Sequence, residues 1–254
     1  MAERLDGTVA FVTGASSGIG EATARDLSER GATVAVVARR KDRLDALVGE
    51  LTERGAKATA IEADITDPDA ARDAVAEAVA AHGRLDTVVN NAGVMLLGPI
   101  LDAPFEEWER MIAINLRGLL AVSHAALPHL LDAANAEPRH VADIVNISSV
   151  AGRLARAGSG VYNLTKWGVN AFSESLRQEV TSRYVRVSLV EPGAVATELT
   201  DHLRPEVREA TKERFKDVTR LEATDIAEAI AYIVTRRRDV AINEVLVRPT
   251  TQVG

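Results

Sequence analysis

The chain has 254 residues, of which 46% are hydrophobic and 26% charged. That is the size and composition of one large globular domain and argues against disordered, collagen-like or repeat architectures. With no cysteine, disulfides, thiolate nucleophiles and cysteine-ligated zinc are excluded, and 30 basic against 37 acidic residues with only 4% aromatics argue against a nucleic-acid partner.

In chain order, Thr8 to Thr13 is a β-branched run that stops at Gly14, and Glu21 to Glu29 takes a helical pattern after it. Ala32 to Ala38 repeats the strand signal, Lys41 to Arg54 is helical, Ala58 to Ile61 is a third strand, and Pro68 to Ala81 a third helix. Leu85 to Val89 follows as a strand, then a long helical region from Phe105 to about Asp132, a strand over Asp143 to Ile147, a helix from about Tyr162 to Thr181 and a strand over Val185 to Val190. Thr224 to Arg236 and Ala241 to Val247 close the pattern as helix and strand. Strands alternating with crossover-length helices imply a mostly parallel sheet covered on both faces, a doubly wound α/β (Rossmann) architecture of about seven strands in one domain, 1–254. Thr197 to Val218 is charged, carries Pro205 and lacks an apolar stripe; it reads either as a mobile substrate lid or as a solvated helix pair. No run approaches the ~20 apolar residues of a bilayer span, and Met1 to Gly7 has no signal-peptide centre. The expectation is therefore a cytoplasmic protein with a small-molecule partner and no membrane.

The first strand runs into Thr13-Gly14-Ala15-Ser16-Ser17-Gly18-Ile19-Gly20. Glycines between a strand and a helix allow a tight turn and close approach of a pyrophosphate to unpaired helix N-terminal amides, although three glycines can also be a structural turn. At the end of the second strand, NAD sites usually carry a carboxylate for the ribose 2′-hydroxyl. Here Ala38 is followed by Arg39 and Arg40, whose guanidiniums suit a 2′-phosphate, so the expected cofactor is NADP(H); two solvated arginines are the alternative. Asp64, followed by Ile65, lies where a carboxylate could accept from adenine, and Asn90-Asn91-Ala92-Gly93 combines loop-tying asparagines with a glycine that permits cofactor approach.

Tyr162 and Lys166 stand four apart in a predicted helix and so share one face, where an ammonium could lower the phenol pKa toward a range useful for proton exchange. Alone, such a pair commonly marks a solvated helix face. Ser148 and Ser149 follow the fifth strand at the carboxyl edge, where open parallel sheets bind ligands. Neighbours on a strand point to opposite sides, so one serine, taken as Ser149, is expected to reach a substrate oxygen. The five histidines, His82, His124, His129, His140 and His202, show no metal-ligand spacing and are assigned to surface or core packing, with no metal expected.

With TGASSGIG, NNAG, Asn115, Ser149, YNLTK and Glu191-Pro192-Gly193 in this order, the chain resembles the compact single-domain branch of the short-chain dehydrogenase/reductase family over nearly its whole length. The resemblance implies that Tyr162 is the general acid or base at the carbonyl or alcohol oxygen, and that Lys166 bonds the nicotinamide ribose and depresses the tyrosine pKa. It implies that Ser149 donates to the substrate oxygen and Asn115 holds a water linking the lysine to solvent. Pro192, Gly193, Val195 and Thr197, in the family's P-G-x-x-x-T pattern, would contact the nicotinamide side. The implied activity is an NADP(H)-dependent aldehyde or ketone reductase, and the implied assembly a tetramer or dimer through the two long helices, where Ala121, Ala125, Gly168 and Ala171 would permit close packing. A regulatory sensor that binds dinucleotide with little chemistry is the competing class, and epimerisation or dehydration with a retained cofactor a third. Two departures bear on substrate. Asp132 to Ala142 is longer than the family's usual turn, a surface insertion, and the C-terminal strand lacks the ending common in ketoacyl reductases, which disfavours an acyl-carrier-protein substrate. That ending, with Met95-Leu96-Leu97-Gly98-Pro99, is similar to the clavulanic-aldehyde-reductase-like group. Met95, Leu154, Ala194 and Leu199 are expected near the site mouth as an apolar slot.

Overall fold

Short β-branched runs and amphipathic stretches alternate along the chain, and the elements follow them: β1 (Val9–Thr13), α1 (Gly18–Glu29), β2 (Thr33–Ala38), α2 (Lys41–Glu53), β3 (Ala58–Glu62), α3 (Pro68–His82) and β4 (Thr87–Asn90). The second half contains α4 (Phe105–Ile112), α5 (Leu119–Ala134), β5 (Ala142–Ile147), α6 (Gly160–Val180), β6 (Val185–Pro192), α7 (Pro205–Arg214), α8 (Ala223–Val234) and β7 (Glu244–Val247). The computed structural model describes residues 4–253; the first three residues of the expected domain and of the N-terminal segment read above, and Gly254, lie outside the described residues.

All seven strands pair in parallel in the order β3-β2-β1-β4-β5-β6-β7, giving one doubly wound α/β domain. β1 is buried along its whole length because helices cover both faces, which is why it reads as an unbroken apolar run. Phe11 points into the layer with Val75, Val122, Leu130 and Leu176, and its neighbour Val12 into the layer with Leu27, Leu47 and Ile230. The strand order reverses between β1 and β4, opening a crevice at their carboxyl ends. The glycine turn, the NNAG segment and Ser149 all emerge at that edge.

The structure differs from the sequence reading in three places. The long helix is not uniform: a π-helical segment, Ala113–Gly118, separates α4 from α5. The continuous helical run Phe105–Ala134 contains an 18-residue window of mean hydropathy 1.3, so by length and composition it does reach what a membrane crossing requires, contrary to the expectation that no stretch would. Val122, Ala126, Leu130 and Ala133 of this run pack into the core, which accounts for its apolar character. β7 is confined to Glu244–Val247, because only there does the chain pair with β6, between Leu189↔Glu244 and Pro192↔Val247.

Candidate active site

The two loops that floor the crevice are pinned to each other. Gly14 has φ 65°, and a Cβ there would lie 2.8 Å from the Ala92 Cα, so this turn requires glycine both for its backbone conformation and for the close approach. Asn91 Nδ2 donates to the carbonyls of Thr13 (2.9 Å) and Gly14 (3.3 Å), and Thr13 Oγ1 accepts from the amides of Asn91 (3.0 Å) and Ala92 (3.1 Å). Ser17 precedes α1 without capping it through its side chain. The first-turn amides beginning at Gly18 and Ile19 are thereby left for an acceptor in the cleft that these residues line. Uncapped helix N–H groups at such a turn match an anionic pyrophosphate.

The cleft, about 330 Å³, runs from this turn to Arg39, Arg40, Asp64 and Ile65 at one end and to Ser149, Tyr162, Lys166, Pro192, Gly193, Val195 and Thr197 at the other, with Ala92 and Gly93 between. Gly20 packs inside the turn, where a Cβ would come within 2.5 Å of the Gly14 carbonyl oxygen. Arg40 donates to Ser16 Oγ (3.0 Å), Ser17 Oγ (2.8 Å) and Glu198 (2.9 Å), while Arg43 donates to the other Glu198 oxygen (2.6 Å). Arg43 first, then Arg40, hold the Glu198 carboxyl down to about 2. Arg39 lies 3.9 Å from Asp64, whose Oδ1 accepts from the amide and hydroxyl of Thr66.

At the other end, β5 delivers two serines with different surroundings. Ser148 lines the cleft as well, but its Oγ is engaged by Asn170 Oδ1 (2.5 Å) and the Lys166 carbonyl (3.3 Å). Ser149 Oγ accepts from the Ala151 amide (3.1 Å) and lines the cleft together with the Tyr162 phenol. Tyr162 and Lys166 are buried on one face of α6. Lys166 Nζ donates to the Ile147 carbonyl (2.8 Å) and stands 5.9 Å from the Tyr162 ring centroid. Burial lowers Lys166 to about 8. Burial likewise pushes the Tyr162 phenol up, and the nearby Ser149 hydroxyl pulls it the other way. The expected depression of the phenol by the lysine is thus not found in the free protein, because desolvation penalises both charged forms. Asn115, in the π-helical segment, accepts from the Val94 amide (2.8 Å) and donates to the Val94 carbonyl (2.9 Å) and Thr165 Oγ1 (3.1 Å). Its side chain therefore locks the loop after β4 onto α6, and its Oδ1 lies 3.4 Å from where a Gly93 Cβ would stand.

Several contributors escaped the sequence reading. Asn163, next to Tyr162, donates to the Ala151 (2.8 Å) and Leu154 (2.9 Å) carbonyls and accepts from the Arg156 amide (3.2 Å), so one side chain holds the loop that carries Ser149. Behind it, buried Glu191 accepts from Arg153 Nε (2.8 Å) and Asn170 Nδ2 (2.8 Å), an array that braces Ser148. The E-P-G motif was visible in the sequence, whereas its partners, distant along the chain, were not. His202 is a surface residue that also lines the cleft with Arg110, and partial burial, then Arg110, push its imidazole below the ordinary range. A second cavity, of about 140 Å³, adjoins Ser149 and Tyr162 and is lined by Met95, Leu154, Ala194 and Leu199. It also receives Thr211, Arg214 and Phe215 from the segment after β6. The ends of that segment are tied by bonds between Ala196 N and Leu221 O (2.8 Å) and Leu221 N and Ala194 O (2.9 Å).

A doubly wound fold with a dinucleotide-type turn at the sheet reversal and a tyrosine, lysine and serine at the far end of the same cleft defines a class of cofactor-dependent oxidoreductases. The short chain dehydrogenase family model matches residues 8–208, and the chain belongs to this family. An uncharacterised oxidoreductase of Staphylococcus saprophyticus is 36% identical over 248 residues, covering 96% of each chain. Among solved structures, the closed form of a serine dehydrogenase complexed with NADP+ superposes with a TM-score of 0.88 at 32% identity, covering 97% of both chains. A metagenomic short-chain oxidoreductase in complex with NADP gives 0.80 at 36% identity, covering 97% of this chain and 99% of that one.

Proposed function

We propose that the chain is an NADP(H)-dependent oxidoreductase interconverting a carbonyl compound and its alcohol, with Tyr162 exchanging the proton at the substrate oxygen. The observation that carries this reading is the meeting of Tyr162 and Ser149 between the dinucleotide cleft and the second cavity, where both line each. The NADP complexes of two structural neighbours support the cofactor choice made from Arg39 and Arg40.

The donor set fits the dinucleotide. The amides at Gly14 to Gly20, with the Ser16 and Ser17 hydroxyls, would hold the pyrophosphate; Arg39 and Arg40 the 2′-phosphate; Asp64 and Ile65 the adenine; Asn91, Ala92 and Gly93 the middle of the molecule; and Lys166, Pro192, Gly193, Val195 and Thr197 the nicotinamide end. When bound, the nicotinamide supplies or accepts a hydride at its ring carbon. The protein orients and protonates. Ser149 donates to the substrate oxygen, and the neutral Tyr162 phenol, favoured by burial, is poised to give its proton in the reductive direction. Lys166, an ammonium below about pH 8, stabilises the phenolate left behind. Asn115 acts on Lys166 by fixing the loop and helix around it.

Tyr162→Phe keeps the buried ring and removes the proton. Turnover of any carbonyl substrate with NADPH is expected to fall by ~10²–10⁴, with NADPH binding by fluorescence within threefold of the parent; a variant of full activity removes Tyr162 from the chemistry. A dinucleotide sensor with little catalysis is disfavoured by the convergence of Ser149 and Tyr162 on both cavities and by the buried Lys166, which binding alone does not require.

The assembly and setting belong to the same reading. Leu164 and Trp167 on α6 and Leu120 on α5 are 57%, 50% and 41% exposed, an apolar face that supports a dimer or tetramer through the long helices, with Ala121, Ala125, Gly168 and Ala171 allowing close approach. Light scattering tests it, and a monomer would oppose it. Segment 197–218 is the cover of the second cavity, and the composition agrees with a cytoplasmic enzyme.

A further inference from the structure

The second cavity is apolar at Met95, Leu97, Leu154 and Phe215, yet it also receives Arg156, Arg214 and Arg220 and, among the described residues, no acidic side chain. In a chain of net charge −7 this is a local reversal of sign. Elsewhere the fold gives arginines beside its functional elements a carboxylate: Arg40 and Arg43 share Glu198, Arg153 takes Glu191 and Arg186 takes Asp143. Among the described residues, none of Arg156, Arg214 and Arg220 makes an ion pair or a side-chain hydrogen bond; the Arg214 guanidinium carbon only stands 5.5 Å from the centroid of its neighbour Phe215. Arg156 is half-buried, and burial, then Arg214 and Arg248, push its guanidinium below the ordinary range. Clustered cations without a counter-ion in a partly desolvated cavity are unfavourable until an anion enters.

The positions add specificity. The Arg156 amide donates to Asn163, the residue after Tyr162, so the backbone that carries this cation is anchored beside the proton donor. Arg214 closes α7 on the covering segment. An anion between them would join the rigid wall to the cover.

We propose that the substrate is an oxo acid or the corresponding hydroxy acid, its carboxylate held by Arg156 and Arg214 while its carbonyl or alcohol oxygen meets Tyr162 and Ser149. This rests on the oxidoreductase reading and deepens it. In the reductive direction the oxo acid gains a hydride at carbon from NADPH, which becomes NADP+, and a proton at oxygen from Tyr162; the carboxylate is unchanged. Apolar walls at Leu154 and Phe215 leave room for an aliphatic chain between the two ends.

The test compares pyruvate, acetoacetate and levulinate with their methyl esters, using NADPH and the full chain. At least one acid is expected to exceed its ester in kcat/KM by tenfold or more. Arg156→Met and Arg214→Met should each reduce that acid-to-ester ratio at least tenfold, through KM rather than kcat. Esters turned over as well as acids, or variants that lower both equally, overturn the proposal while leaving the oxidoreductase reading intact. If no carbonyl compound is reduced, that reading fails and the anion site is judged by binding alone: malonate and succinate added to the NADPH complex should raise its melting temperature in the parent and not in the Arg156→Met/Arg214→Met double variant. An equal response in both, or none in either, also overturns it.

Discussion

The two ends of the dinucleotide cleft handle charge in opposite ways. At the Arg40 end, Arg40 and Arg43 are saturated by Glu198 and by the Ser16 and Ser17 hydroxyls, all of them except Ser16 partly exposed. At the Tyr162 end, Tyr162 and Lys166 are buried, and among the described residues the lysine has only the Ile147 carbonyl as an acceptor. The first end is already satisfied by the chain's own groups, whereas the second carries a desolvated ammonium and a phenol that burial keeps neutral. A fold tolerates such a poorly solvated corner when ligand binding and chemistry use it.

The largest effect is expected from Lys166→Met. Carbonyl reduction should fall by ~10² or more, while the free protein becomes more stable. Lys166 drops from an ordinary value near 10.5 to about 8, so the penalty for folding with it charged is fully present below pH 8 and fades as pH rises from 8 to 10.5. At pH 7 the gain is about 1–3 kcal/mol after allowing for the lost bond to Ile147. Melting curves at pH 7 and pH 10 check it; a loss of stability, or a gain unchanged at pH 10, would show that the catalytic end is not under desolvation strain.

Arg40→Leu comes next. Removal of a charge-assisted contact to a 2′-phosphate should raise KM for NADPH about 10–100-fold with KM for NADH changed less than threefold, and parallel losses with both cofactors would contradict the assignment of this end. The smallest effect is expected from Glu198→Gln. On the proposed assignment of Arg40 to the 2′-phosphate, Glu198 competes for the same guanidinium, so the variant should bind NADPH about 2–5-fold more tightly, in line with a half-exposed ion pair, and NADH unchanged. Weaker NADPH binding would instead make Glu198 a support for Arg40.

Much of the cleft was readable because its signals are local. Gly14 is dictated by a left-handed turn, the Tyr162 and Lys166 spacing by helical periodicity, and β1 by two-sided burial. Asn163 was legible as part of YNLTK but not as the clamp on the Ser149 loop, since its three partners lie on a turn whose path is not coded by periodicity. That His202, read as a surface or packing residue, also lines the cleft was not legible, because its neighbour there, Arg110, belongs to another element. The apolar slot guessed from Met95, Leu154, Ala194 and Leu199 is lined by those residues, but its cations went unseen.

By itself, then, the sequence determined the order of strands and helices, the parallel doubly wound sheet and the turn at its reversal, because these depend on residue periodicity, glycine conformations and short-range hydrogen bonding. Only the tertiary structure decided the sense of the Tyr162 and Lys166 shifts, the pairing of Arg40 with Glu198 and the unpaired state of Arg156 and Arg214. Those depend on desolvation and on distances between groups far apart along the chain, and neither exists until the two halves of the sheet have closed around the cleft.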